Sequence, residues 1–263
     1  MVDAPTGALG GIRAFLLDLD GTVFQNGRLI PGVEEALNEL ARRGIARRFL
    51  TNISSRPRSV IARELRGMGL VVQPDEILTA PRAAREFLLQ RGWSRSQLLV
   101  PPAVRSEDFP GLAEDENSPQ AVVLGDLSED FSYERLNSAF RALLGGAALV
   151  ALGRNRYFLS KNELVLDVGA FAAALEFASR RQAIVVGKPS PEFFRAALAL
   201  IGVEAEETAV VGDDVEADVG GGQMVGLRGV LVRTGKFRPE DLARSGIRPD
   251  AVIASLAELP RLL

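Results

Sequence analysis

Apolar runs separated by polar turns recur along this chain in a rhythm that predicts alternating strands and helices. Ile12 to Leu17 is apolar on both sides of the pleat apart from Arg13, which predicts a strand buried on two faces and ending at Asp18. Beyond a loop, Pro31 opens a segment in which Val33, Leu37, Leu40 and Ala41 recur at helical spacing until Gly44, predicting a helix over 31–43. A second strand, Ile45 to Leu50, ends at Thr51-Asn52. A second helix follows from Pro57 to Gly67, with Val60, Ile61 and Leu65 on one face.

The rhythm is irregular from Asp75 to Gln90. Between Trp93 and Arg181 the chain has its own apolar strands at Gln97–Val100, Ala121–Leu124, Ala148–Leu152 and Leu164–Asp167, with helices near Ser132–Leu144 and Ala170–Arg180. This stretch reads as an inserted domain over 83–182. The first rhythm is expected to resume at Ala183–Val186, continuing through a helix at Pro191–Ile201, a strand at Thr208–Val211, a helix at Val215–Val225 and strands at Gly229–Val232 and Ala251–Ala254. Residues 1–82 and 183–263 then form the main domain. The fold class is α/β, a doubly wound, mostly parallel sheet, in which functional groups gather at the carboxyl ends of the strands.

Composition narrows the chemistry. The 263 residues are 47% hydrophobic, enough for a substantial core, and a net charge of −3 gives no basic surplus for binding nucleic acid. No apolar run is long enough to span a bilayer, and the first residues lack a charged segment followed by an apolar core. A soluble, cytoplasmic protein acting on a small metabolite is expected, with no nucleic-acid or membrane partner. Cysteine and histidine are both absent, which removes thiolate nucleophiles, disulfides, imidazole bases and ordinary zinc sites. Lysine occurs only at 161, 188 and 236.

Four short segments at or near strand ends share one theme: Asp18-Leu19-Asp20-Gly21-Thr22, Thr51-Asn52, Lys188, and Gly212-Asp213-Asp214 with Asp218. Alone, each has an ordinary explanation. Asp-x-Asp shapes turns, Thr-Asn caps helices, a lysine is solvated, and acids favour a helix N-terminus. Converging carboxylates about 4 Å apart repel by roughly 4 kcal/mol at an effective dielectric near 20, so the acids together require a cation. Mg²⁺ suits them: Asp18 and Asp213 offer carboxylates, Asp20 a backbone carbonyl, and Asp214 and Asp218 groups that orient the ligand waters. Asp18 is the better nucleophile, forming an aspartyl phosphate, and Asp20 the acid and base. Thr51, Asn52 and Lys188 are then phosphate contacts.

These motifs, in this order, resemble those of the haloacid dehalogenase superfamily of phosphohydrolases. The resemblance implies a Rossmann-like hydrolase core, with the insertion as an α/β cap of the C2 type. Val186-Gly187-Lys188-Pro189-Ser190-Pro191-Glu192-Phe193-Phe194 and Val232-Arg233-Thr234-Gly235-Lys236-Phe237-Arg238-Pro239 look like the phospholysine phosphohistidine inorganic pyrophosphate phosphatase branch. Members of that branch sometimes carry Ser at the second motif position, and Asp20 here favours monoester hydrolysis. Metal ligation by Asp18, Asp20 and Asp213, phosphate binding by Thr51, Asn52 and Lys188, and a homodimer are what the family implies. Two alternatives stay open: a phosphoramidate or pyrophosphate substrate, and a non-catalytic regulator binding metal and phosphometabolite. Arg154, Asn155, Arg156 and Tyr157 meet the substrate or form an exposed turn, and Arg233 and Lys236 border the site or form a surface loop. Gly220-Gly221-Gly222 is not a dinucleotide turn, because it lies away from the first strand.

Overall fold

The computed structural model describes residues 6–160 and 163–263, with the backbone alone at 158–160; Lys161 lies outside the described residues. Two compact units emerge. The first holds the described residues up to Thr51, Ile61–Leu78 and Phe194–Leu263; the second holds Asn52–Val60 and Thr79–Phe193.

The first unit is built on a six-stranded sheet in the order Ala251–Ile253, Arg228–Val232, Thr208–Gly212, Ala14–Asp18, Ala46–Thr51, Ile77–Thr79. Ala14–Asp18 lies in parallel register with Thr208–Gly212 on one side and Ala46–Thr51 on the other. All five of its residues are buried, as its unbroken apolar sequence requires. The helix Val33–Arg42 buries Val33, Ala36, Leu37 and Leu40, with Glu34 and Glu35 in its first turn and Arg42 in its last, where each sign suits the helix dipole. Between strand and helix the chain makes a small hairpin, Phe24–Gln25 against Arg28–Leu29. Asn26 and Gly27 turn it at φ of 51° and 71°, the left-handed pair that a two-residue hairpin loop needs.

The segment after Thr208–Gly212 is not the regular α-helix that the spacing predicts. Val215–Gly220 winds as a wide π-type turn, with the amide of Val219 reaching the carbonyl of Asp214, and a short α-helical piece, Gly221–Gln223, follows. The triple glycine has a packing reason: a Cβ at Gly222 would come within 2.5 Å of Val210 Cγ1, and one at Gly220 within 2.6 Å of Ile247 Cδ1.

The second unit carries a five-stranded, all-parallel sheet in the order Ile184–Val185, Ala148–Ala151, Ala121–Leu124, Arg95–Leu99, Ala113–Glu114. Helices Tyr133–Leu144 and Val168–Ser179 cover it over a core of Leu99, Val122, Leu124, Leu143, Ala172 and Leu175. Three expectations change here. The strand expected to resume the first rhythm near Ala183 instead pairs Ile184 with Val150, because the short return from the helix Val168–Ser179 delivers the chain back to the sheet that helix covers. The amide of Ala183 donates to Glu176 Oε1 at 2.8 Å and fixes that return. Glu163–Leu166, counted with the inserted strands, pairs antiparallel with Tyr157–Ser160 in a separate hairpin. The irregular stretch before Gln90 contains a full helix, Ala80–Gln90, with Pro81 in its first turn and Thr79 accepting from the Arg82 amide at 3.3 Å.

Candidate active site

Within the first unit, the carboxylates of Asp18, Asp213 and Asp218 come together. One oxygen from each lies within 4.8 Å of the others, and all three residues are buried, at 6%, 2% and 1% exposure. Asp18 closes one strand and Asp213 follows its parallel neighbour, so sheet register alone sets these two side by side. Asp218 reaches them through the π-type turn. A Cβ at Gly212 would overlap the Asp218 carboxylate, which therefore lies directly over the strand end, and the Asp214 amide donates to Asp218 Oδ2 at 3.2 Å.

Each acid is held by specific donors. Thr22, wholly buried, donates its hydroxyl to Asp18 Oδ2 at 3.0 Å. It sits in a loop whose amides at 22, 23 and 24 all converge on the Leu19 carbonyl. The Lys236 amide donates to Asp213 Oδ2 at 2.6 Å, and Thr234 Oγ1 donates to the Gly21 carbonyl at 2.5 Å, tying the first loop to the one after Arg228–Val232. Gly21 and Gly235 flank the Asp213 carboxylate at φ of 89° and 58°, and a side chain on either would overlap Asp213 Oδ2. These two positions demand glycine both for their backbone and for the space beside the acid.

Three buried carboxylates this close repel one another unless a cation or protons intervene, and their hard oxygen donors suit a hard divalent ion. The cluster fits a metal ion on that ground. Asp18 and Asp213 are in it, and Asp218, expected only to orient ligand waters, joins them; the side chain of Asp20, of which only the backbone carbonyl was expected at the ion, is exposed and outside the cluster. Asp214 does separate work, its Oδ1 accepting from the amides of Glu216 at 3.0 Å and Ala217 at 2.9 Å as the cap of the following turn. Thr51 ends its strand at 4% exposure. A cleft of about 320 Å³ opens beside Asp213, bordered by Glu216, Lys236, Phe237, Arg238 and Arg244. Lys236 thus belongs to the neighbourhood of the acids, as one of the two sequence readings had it.

The second unit holds Asn52 and Lys188. The Asn52 amide group pairs with the Lys188 backbone in both directions: Nδ2 donates to the Lys188 carbonyl at 3.0 Å, and the Lys188 N–H donates to Asn52 Oδ1 at 2.8 Å. Arg154 makes a two-pronged ion pair with Glu176, both contacts at 2.9 Å, on the exposed side of the inserted domain.

The residues that sequence reasoning passed over are the Thr22 hydroxyl, Thr234 and Gly235. For Thr234 and Gly235 a signal was present: small residues just after a strand that abuts an acid-bearing one. What was missing was the knowledge that Arg228–Val232 neighbours Thr208–Gly212.

Comparison with known proteins agrees with this architecture. Residues 15–106 match the model of the haloacid dehalogenase-like hydrolases, and 185–259 match a second, HAD-hydrolase-like model. The chain is 41% identical to phospholysine phosphohistidine inorganic pyrophosphate phosphatase of Homo sapiens, over 99% of this chain and 97% of that one. It is 42% identical to human haloacid dehalogenase-like hydrolase domain-containing protein 2 over 89% of each chain. Among solved structures, a 4-nitrophenylphosphatase from Thermotoga maritima superposes with a TM-score of 0.90 at 35% identity, covering 97% of this chain and 99% of its own. A p-nitrophenyl phosphatase from Archaeoglobus fulgidus superposes at 0.88 and 30%, covering 96% and 99%. With its parallel sheets, inserted α/β domain and clustered acids at adjacent strand ends, the chain belongs to the haloacid dehalogenase-like hydrolases, in the phosphatase branch of these relatives.

Proposed function

We propose that this protein is a Mg²⁺-dependent phosphatase that hydrolyses a small phosphorylated metabolite through an aspartyl-phosphate intermediate. The observation that carries the proposal is the buried Asp18, Asp213 and Asp218 cluster, with Asp18 steered by Thr22. Asp18, Asp213 and Asp218, with the Asp20 carbonyl, would hold the ion, which when bound supplies charge neutralisation for the phosphoryl oxygens and for the acids themselves.

The chain's own residues do the rest. An Asp18 carboxylate oxygen forms a bond to phosphorus as the bond to the leaving oxygen breaks, and Asp20 gives that oxygen a proton. Asp20, now a carboxylate, takes a proton from water. The water oxygen bonds to phosphorus, the Asp18–phosphorus bond breaks, and inorganic phosphate leaves with Asp18 restored. Thr22 holds Asp18 in one orientation throughout, which keeps the reacting oxygen from being lost to rotation. Thr51 and Lys188 are assigned to the phosphate by the order of the motifs along the chain.

A second reading, hydrolysis of phosphoramidates or pyrophosphate, is favoured by the names of the relatives at 41% identity. Phosphate release from a panel of phosphomonoesters, phospholysine, phosphohistidine and pyrophosphate, with and without Mg²⁺, separates the two. Preference for monoesters supports the first reading and preference for P–N or P–O–P bonds the second. No release from any of them leaves the regulatory, non-catalytic alternative.

A further inference from the structure

The reciprocal pairing of Asn52 with the Lys188 backbone points to a role for Asn52 that the motif order does not suggest. We infer that Asn52 is a positioning residue that fixes the Lys188 backbone, and so aims its amine, and that it is not itself a phosphate ligand. The inference rests on the phosphatase reading for what Lys188 does and on geometry alone for what Asn52 does.

The carboxamide has one acceptor and one donor nitrogen, and both face the backbone of a single residue, one on each of its two peptide units. Oδ1 takes the Lys188 N–H at 2.8 Å while Nδ2 gives to the Lys188 carbonyl at 3.0 Å. Two bonds of opposite sense to one residue's backbone fix the position and the rotation of that backbone at once. The surroundings leave it no slack. A Cβ on Gly187 would overlap the Leu152 carbonyl and lie 2.8 Å from Asn52 Oδ1, so the strand exit, the Asn52 side chain and the 187–188 peptide are in close contact. The next peptide, Lys188-Pro189, has no N–H to offer, and the Ser190 amide turns back to the Gly187 carbonyl at 2.9 Å. Lys188 is itself 8% exposed. A four-carbon side chain starting from a fixed Cα has far fewer places to put its amine than one on a mobile loop, which is what a phosphate contact needs.

The rarity of lysine makes this directly measurable, since ¹⁵N-lysine labelling gives backbone amide signals from Lys161, Lys188 and Lys236 alone. A Lys188→Arg sample identifies the Lys188 signal by its loss. In Asn52→Ala the Lys188 amide is expected to move upfield and exchange faster with solvent, while the Lys236 amide, bonded to Asp213, stays in place. A Lys188 amide unmoved in that variant overturns the clamp, whether or not the enzyme hydrolyses anything.

The kinetic arm separates positioning from phosphate binding. Asn52→Ala is expected to lower kcat/KM on the order of 100-fold, the scale of a misplaced catalytic group. The same substitution made on top of Lys188→Ala is expected to cost almost nothing more. Asn52→Asp keeps the acceptor for the Lys188 N–H and is expected to outperform Asn52→Ala. A direct phosphate contact gives the reverse, with Asn52→Asp the worse of the two through repulsion and with additive losses in the double variant.

Discussion

Thr22 Oγ1, wholly buried, donates to Asp18 Oδ2 across 3.0 Å and so fixes the rotation of the carboxylate. Removing the hydroxyl while keeping the shape, as in Thr22→Val, is expected to lower kcat about 10- to 100-fold, the value of a hydrogen bond to a charged group. Asp18→Asn is expected to lower it by at least roughly 10³-fold, or about 4 kcal/mol of barrier. Steady-state phosphate release measures both, and turnover near the native rate in Asp18→Asn removes the nucleophile from this position.

Metal dependence is the outcome expected from the burial of three acids together. Chelation is expected to abolish activity and Mg²⁺ to restore it. Mg²⁺ at a hundredfold excess over its dissociation constant is expected to raise unfolding stability by about 2.7 kcal/mol. Thermal melts with and without EDTA read this out; identical curves count against metal binding at the cluster.

Asp214 and Asp218 are expected to part company on substitution. Asp214→Ala removes a cap that serves two amides and is expected to cost about 1 kcal/mol of stability with little change in Mg²⁺ affinity. Asp218→Asn takes a charge from the cluster and is expected to weaken Mg²⁺ at least 10-fold by calorimetric titration. A reversed pattern would falsify the division of roles.

Glycine 235 tests the space beside Asp213. Gly235→Ala places a methyl group against Asp213 Oδ2 at a positive φ, so both metal affinity and stability are expected to fall. Gly44, also at positive φ but with open space around it, is the control: Gly44→Ala is expected to lower stability alone.

In the second unit, Asp108 is wholly buried against Arg58, 2.7 Å away, and burial pushes its carboxyl up to about 6, with the Arg58 guanidinium opposing and Glu107 reinforcing the rise. A carboxyl whose folded value exceeds its unfolded one binds protons more readily in the folded state, so its contribution to stability falls as pH climbs from about 4 to about 6 and is gone above that. Between pH 4 and 7 the native protein is expected to lose on the order of 3 kcal/mol relative to Asp108→Asn. Paired denaturation curves at several pH values give this difference; a constant gap would remove the titration from Asp108.

The acid-bearing strands were legible because buried parallel strands announce themselves as continuous apolar runs ending in something polar, as Ala14–Asp18 and Thr208–Gly212 do. Less legible was anything set by which strand lies beside which. Ile184–Val185 is two residues long, and nothing local says which sheet it joins. Asp218 does lie one helical turn beyond Asp214, its amide meeting the Asp214 carbonyl at 3.0 Å, but the turn widens at Val219, whose amide shares that carbonyl. The Asn26-Gly27 hairpin was readable from its dipeptide and was passed over as loop. Asn52 was singled out for phosphate, yet the partner its side chain shows is a backbone 136 positions away, which no spacing rule reaches.

The turn that begins at Val215 also fixes how many residues must separate two of the acids. The Asp218 amide meets the Asp214 carbonyl at 3.0 Å across the ordinary four-residue interval, and an α-helix advances about 100° per residue, so deleting one residue between them would swing the last acid roughly a quarter-turn away from its companions. The four-residue interval is therefore as necessary to the trio as the aspartates themselves, and a variant one residue shorter there is expected to lose the cluster even with every aspartate retained.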